Sequence, residues 1–545
     1  MTSSPFAFGP PTVAVLLGLA GCIEKGSSDP PRRTDGVPSS ETPDDIDASV
    51  DPEDPDGDGF TEAEGDCDNT DPTVYPGAED SMWHDRDCAE GVARANADLV
   101  IGGGSDVVWL GASLTAAGDL DGDGADDIAF GANIGGEPAV VLWSGLELAE
   151  GTAPGLDDAT RLLAIESNGG SYAPLVSVGG DPLGHGGEVM AIQVVPPDAS
   201  NVDILLADAR PWIAGEPVDY GTLPRLIGSD LPDHAGHGVG IATDVDLDGD
   251  GFEDVVVGIP HLQVDTTPET GRLDVHFGDS LQANPQPLSG DADRSVLGEE
   301  RGQWGASVSA VGDLDHDGTV DLLVGAPRLE HPVTDAWQSG VAYVLSGAEL
   351  AAGEVEGPGD ALLSVRTVEG DETVVHLGDA GGTLGDFTGD GRPEVYLSAW
   401  WAGNLQGMVA IFDPETLESG VYTTDDALHQ VWGERDVELL GDTVEPLFDV
   451  DRDGVDDVIF ANRGWGASHT ILSGARLGEA GTTMPCYDDT LVTWKLGRLY
   501  SGQANADVAV VDLDGDHVDE VVLSGSIDWV DGVESGALYV VHEHP

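Results

Sequence analysis

Asp119-Leu-Asp121-Gly-Asp123-Gly124-Ala-Asp-Asp127 runs directly into the apolar stretch Ile128-Ala-Phe130-Gly-Ala132. The same pairing of an aspartate-rich loop with a short strand recurs from Asp246, Asp313, Asp386, Asp449 and Asp512. A unit copied at near-regular intervals is one supersecondary element repeated about or along an axis. Its chemistry points to a ligand as well. Calcium takes about 6–8 oxygens at roughly 2.3–2.6 Å, and carboxylates at positions 1, 3, 5 and 9 of a tight loop supply them from one short segment.

In the first copy the expected side-chain ligands are Asp119, Asp121, Asp123 and Asp127, with the carbonyl of Ala125 at position 7. Gly124 at position 6 permits the reversal that turns these oxygens inward. The same roles fall to Asp246, Asp248, Asp250 and Asp254, and to Asp313, Asp315, Asp317 and Asp321. The later copies use Asp386, Thr388, Asp390 and Glu394, then Asp449, Asp451, Asp453 and Asp457, then Asp512, Asp514, Asp516 and Glu520. Thr388 offers a neutral oxygen, and His517 replaces the position-6 glycine, so these two copies rank below the other four.

An EF-hand requires a bidentate Glu at position 12 and a helix after it. Position 12 here is Phe130, Val257, Val324, Leu397, Phe460 or Leu523. The following runs, such as Asp254-Val-Val-Val-Gly258 and Asp321-Leu-Leu-Val-Gly-Ala-Pro327, are short, apolar and stopped by Gly or Pro. They read as strands.

A second signature precedes the loops: Leu110-Gly111-Ala-Ser113, Gly238-Val-Gly240 and Trp304-Gly305-Ala-Ser307, with Gly325-Ala326-Pro327 trailing. Together they resemble the FG-GAP repeat of the integrin α-subunit N-terminal β-propeller, over residues 97–545. The resemblance implies an all-β, seven-bladed propeller with calcium loops on one face and partner binding mostly on the other. Six loops leave one blade to find, and the interval between Asp119 and Asp246 is one unit too long. Asp203-Ile-Leu-Leu-Ala207 matches the strand after the other loops, which would put Val195, Pro197 and Ala199 at the ligand positions of an eroded second blade.

The chain has 545 residues, 20 basic and 103 acidic, for a net charge of −83. Six divalent ions would bring this only to about −71, so most carboxylates are solvated surface. Such a field excludes nucleic acid and anionic lipid surfaces as default partners. Val13 to Leu19 and Leu19-Ala20-Gly21-Cys22 resemble a bacterial lipoprotein signal, although no Lys or Arg precedes the apolar stretch. That stretch is too short for a membrane span. The resemblance implies a lipoprotein signal over 1–22, cleaved so that Cys22 becomes the first residue and carries the acyl anchor, the only membrane attachment expected. A plain secretion signal is the alternative. Residues 23–53 have hardly any apolar content and read as a linker.

Asp54-Pro-Asp56-Gly-Asp58-Gly59-Phe60-Thr-Glu62 repeats the loop pattern in a separate acidic unit, 54–94. With Asp66-Cys67-Asp68, Tyr75-Pro76-Gly77 and Asp85-Arg-Asp87-Cys88, it is similar to the Cys/Asp metal-binding module of bacterial surface proteins and to thrombospondin type 3 repeats. The resemblance implies metal at Asp54, Asp56, Asp58 and Glu62 and a Cys67–Cys88 disulfide, since so small a unit has almost no core. Cys486 is left as an inert thiol.

No Gly-x-Ser-x-Gly elbow, His-Glu-x-x-His or phosphate-binding glycine loop is present. His234 and His237 read as polar loop residues. Trp304, Trp400, Trp401, Trp432 and Trp465 can serve as platforms for sugar rings or protein partners, or pack between blades. The expectation is a calcium-binding propeller anchored at the bacterial cell envelope that recognises a surface protein or polysaccharide. The alternative is an extracellular polysaccharide- or phosphoester-cleaving enzyme on the same scaffold.

Overall fold

The computed structural model describes Phe60, residues 92–93 and, in segments, residues 99–541. Cys22, Asp54, Asp56, Asp58, Glu62, Cys67 and Cys88 lie outside the described residues, as do Cys486, His234, His237 and Trp465.

The strands form seven antiparallel four-stranded blades in chain order: 114–164, 175–229, 241–297, 308–366, 380–432, 440–495 and 506–541. Blade 3 shows the plan. Ile241–Val245 pairs with Asp254–Gly258, which pairs with Arg272–His276, which pairs with Arg294–Leu297. The seventh blade takes its outer strand from the other end of the chain, because Leu99–Gly102 pairs with Ala537–Val541. One N-terminal strand thus closes the ring and leaves no seam between first and last blade.

Among the described residues, buried apolar side chains gather into seven clusters, each shared by two adjacent blades. The cluster joining blade 7 to blade 1 packs Val522 and Leu538 against Phe130 and Trp143. This is why the second strands are buried along their whole length, Asp254–Gly258 at every residue. Both of their faces meet a neighbour.

The two glycine signatures interlock. A Cβ on Gly325 would stand 2.0 Å from the carbonyl oxygen of Gly378, and one on Gly258 2.0 Å from that of Gly305. The glycine ending the second strand of one blade therefore packs on the glycine that opens the next, at a distance no side chain permits. Some outer edges carry a fifth strand. Gly420–Thr423 lies parallel to Leu363–Arg366, Gly481–Thr483 to His429–Trp432, and Val92–Ala93 to Val492–Lys495. Each covers unpaired groups that would otherwise invite association.

The eroded blade exists but its register needs correction. Val202–Asp208 is its third strand, paired with Val189–Val194, and not the strand after a metal loop. Residues 195, 197 and 199 therefore fall between the second and third strands in sequence, outside the described residues. The true loop is 180–188, between Leu175–Gly179 and Val189–Val194. Counted from Asp181, loop starts differ by 62, 65, 67, 73, 63 and 63 residues, and the irregular interval disappears.

Candidate metal centres

Every loop joins the first strand of a blade to its second, so all seven open at the same end of the ring. The position-1 aspartate organises each. In the first loop Oδ1 of Asp119 accepts the N–H groups of Gly122 and Asp123 (2.7 and 3.0 Å), and Oδ2 accepts that of Gly124 (3.0 Å). The position-6 bond to Oδ2 recurs at Asp246, Asp313, Asp386, Asp449 and Asp512, between 2.8 and 3.0 Å. Position 6 is left-handed throughout, and His517 adopts φ +71° to keep this bond. Position 4 is left-handed too. Glycine serves there in four of these six loops, while His316 and Arg452 take φ +65° and +62° in the others.

These turns bring carboxylates together. Asp119, Asp121 and Asp123 each offer an oxygen within 4.8 Å of the others. So do Asp246, Asp248 and Asp250; Asp449, Asp451 and Asp453; and Asp512, Asp514 and Asp516. In blade 4 the trio is Asp313, Asp315 and Asp321, with Asp317 outside it. Among the described residues no such group forms at the Asp386 loop, where Thr388 supplies no carboxylate. Three anionic oxygens so close repel one another unless a cation lies between them, and hard oxygen donors suit a hard divalent ion.

Position 9 has a second task that spacing alone did not reveal. Asp127, Asp254, Asp321, Glu394 and Asp457 are completely buried, and Glu520 nearly so. Each accepts the N–H of position 2: Leu120, Leu247, Leu314, Phe387, Val450 and Leu513 respectively, at 2.7–2.9 Å. In the four aspartates the other oxygen accepts the N–H of a glycine that opens a short helix after the third strand. These glycines are Gly145, Gly278, Gly347 and Gly474, at 2.9–3.2 Å. A Cβ on Gly145 would lie 1.9 Å from the carbonyl oxygen of Asp126, so only glycine brings this N–H so near. The visible signal was Ser144-Gly145, Ser346-Gly347 and Ser473-Gly474 at the ends of third strands. Glu394, one methylene longer, instead spends its second oxygen on the N–H of Thr388 (3.0 Å).

Burial pushes the carboxyls of Asp127 and Asp457 up to about 7 and those of Asp254 and Asp321 up to about 6. Their backbone donors oppose the shift, and neighbouring loop carboxylates add to it. Since these folded values exceed the unfolded value of 3.8, the stability the four groups contribute is complete below about pH 3.8 and lost as pH rises through 6–7. The metal-free protein should therefore show a melting temperature that falls between pH 5 and pH 8, and added calcium should flatten or reverse that slope. Parallel slopes with and without the ion would contradict it.

The tryptophans separate into two kinds. Trp304 is fully buried and packs on Tyr343, ring centroids 5.0 Å apart. Trp432 is half-buried, its Nε1–H donating to Gln430 Oε1 at 3.0 Å. Trp401 is exposed, stacks on His376 at 4.8 Å and meets Trp400 edge-on at 5.4 Å.

The stretch from Trp304-Gly305 through the Asp313 loop and its following strand contains both signatures in register. Residues 304–335 match the FG-GAP repeat. Integrin alpha-5 of Xenopus laevis is 33% identical over 116 residues, 20% of this chain and 10% of that protein. Phosphatidylinositol-glycan-specific phospholipase D of Rattus norvegicus is 29% identical over 211 residues, 37% of this chain and 24% of that protein. The chain thus spans between a tenth and a quarter of the length of these curated relatives. Among solved structures, BBS1N in complex with ARL6DN aligns over 82% of this chain and 95% of its own, at 10% identity and a TM-score of 0.38. The FG-GAP repeat and the likeness to integrin alpha agree with the seven blades. Among the described residues no helix is long and apolar enough to cross a membrane.

Proposed function

We propose that this chain is a calcium-binding β-propeller that serves adhesion or ligand recognition outside the cell, held at the envelope through lipid on Cys22. The observation that carries the reading is the set of five loops at one end of the ring, each gathering three carboxylates within 4.8 Å, in a chain with an FG-GAP repeat. Calcium's part is structural. Ligands at positions 1, 3, 5 and 9 of each loop would pin the first two strands of a blade. The linker 23–53 and the acidic unit 54–94 would then space the ring from the membrane. Its partner is a surface protein or polysaccharide, and the exposed Trp401 beside Trp400 offers an aromatic surface for either. Purified protein is tested against arrayed polysaccharides and envelope extracts, in calcium and in EDTA. Saturable, calcium-dependent binding that leaves the ligand intact is the expected result. Cleavage of the ligand would replace this reading with an enzymatic one, and the absence of saturable binding would remove the recognition role.

A further inference from the structure

The loop of blade 2 keeps the turn and lacks the cage. Oδ1 of Asp181 accepts the N–H of His185 (2.7 Å) and Oδ2 that of Gly186 (2.5 Å), the bonding of position 1 to positions 5 and 6 seen in the other loops. Gly184 and Gly186, at positions 4 and 6, are left-handed like their counterparts. Positions 3, 5 and 9, however, are Leu183, His185 and Val189. The loop's other acid, Glu188 at position 8, sets its carboxylate against Gly118 of blade 1. The single carboxylate left at the ligand positions, Asp181, does not hold a divalent ion, which takes about 6–8 oxygens.

A cationic group of the chain itself reaches this loop. Arg210 opens the short helix after the third strand, and its Nη2 donates to the carbonyl oxygen of His185, position 5, at 2.8 Å. A Cβ on Gly187, at position 7, would come within 2.7 Å of Arg210 Cδ and Nε, so the guanidinium stem lies flat on that backbone. The position-1 carboxylate of Asp181 acts electrostatically on the same guanidinium. The missing position-9 acid also has a replacement. Asp208 stands directly across the ladder from Val189, and its carboxylate takes Arg210 Nε at 3.0 Å and Nη2 at 2.9 Å, a two-pronged pair. The backbone N–H of Arg210 also donates to Asp208 Oδ1, at 3.1 Å.

We infer that the guanidinium of Arg210 is the resident cation of the second blade's loop, with Asp208 as its counter-acid, and that this site takes no metal. The comparison rests on the other six loops being cation sites; the arginine's own role does not. It makes one blade of the ring independent of the ion that orders the rest.

Hydrogen exchange on the full chain tests this, read separately over residues 181–189 and 119–127, in calcium and in EDTA. Protection of 181–189 should be unchanged by EDTA, while that of 119–127 falls at least tenfold. Arg210→Ala should lower protection of 181–189 at least tenfold in both conditions and leave 119–127 as it was. Arg210→Lys, which keeps the charge but not the fork, should fall between the two. Calcium protecting 181–189 in the unaltered protein as it protects 119–127 would overturn the inference, as would Arg210→Ala exchanging there at the parent's rate. If neither loop responds to EDTA but Arg210→Ala still loosens 181–189, the calcium reading fails and the arginine's role stands.

Discussion

Excess EDTA should lower the melting temperature of this propeller by roughly 15 °C or more, and returning calcium should restore it. The reason is electrostatic. Five loops hold three carboxylate oxygens each within 4.8 Å, in a chain of net charge −83 with only 20 basic residues to answer them. Without a cation those oxygens repel at short range, and backbone N–H donors answer only part of the charge. An ion that binds only the folded state adds about 2.7 kcal/mol per site at a hundredfold excess over Kd, so five such sites in one closed ring add on the order of 14 kcal/mol. A chain this long shifts its midpoint by roughly 1–2 °C per kcal/mol. Differential scanning fluorimetry with EDTA and with a calcium titration makes the measurement. A melt unmoved by the chelator would remove calcium from the account of this fold.

The loops were legible because two separate chemistries mark them. Cation binding requires acids at alternating positions, and the turn requires left-handed residues between them. Blade 2 satisfies only the second requirement, through Asp181, Gly184 and Gly186, so no alternation of acids marks it in the sequence. The interval of 62 residues from Asp119 was the cue that remained. Closure of the ring was not locally legible, since Leu99–Gly102 is chosen as a strand by Ala537–Val541, more than four hundred residues away. The same holds for Gly420–Thr423, whose half-exposed Val421 and Tyr422 carry no alternation and whose parallel partner belongs to the preceding blade. Trp304 and Trp401 look alike in sequence. Burial against Tyr343 makes one a core residue, and exposure beside Trp400 leaves the other on the surface.

Asp254→Ala should cost about 2–4 kcal/mol whether or not calcium is present, whereas Asp248→Ala should cost little unless calcium is present. Asp254 is fully buried, with Oδ2 on the N–H of Leu247 and Oδ1 on the N–H of Gly278, both at 2.9 Å. Alanine strands both donors where water does not reach, and each stranded donor costs about 1–3 kcal/mol. Part of this is returned in the metal-free protein at neutral pH, because burial raises the carboxyl to about 6 and its ionised form is unfavourable there. Asparagine is no remedy, since its amide nitrogen would face one of the two N–H donors. Asp248 is exposed and, among the described residues, accepts the N–H of Asp250 alone, at 3.1 Å, so its weight lies in the ligand it would give a cation. Urea melts of both variants, in calcium and in EDTA, separate the two roles. Equal losses in EDTA would mean that position 9 is one more ligand. A loss at Asp254 that persists in EDTA would show that the repeat has built one acid per loop into its hydrogen-bonded frame, so that the aspartate a cation would use also ties the loop to the third strand.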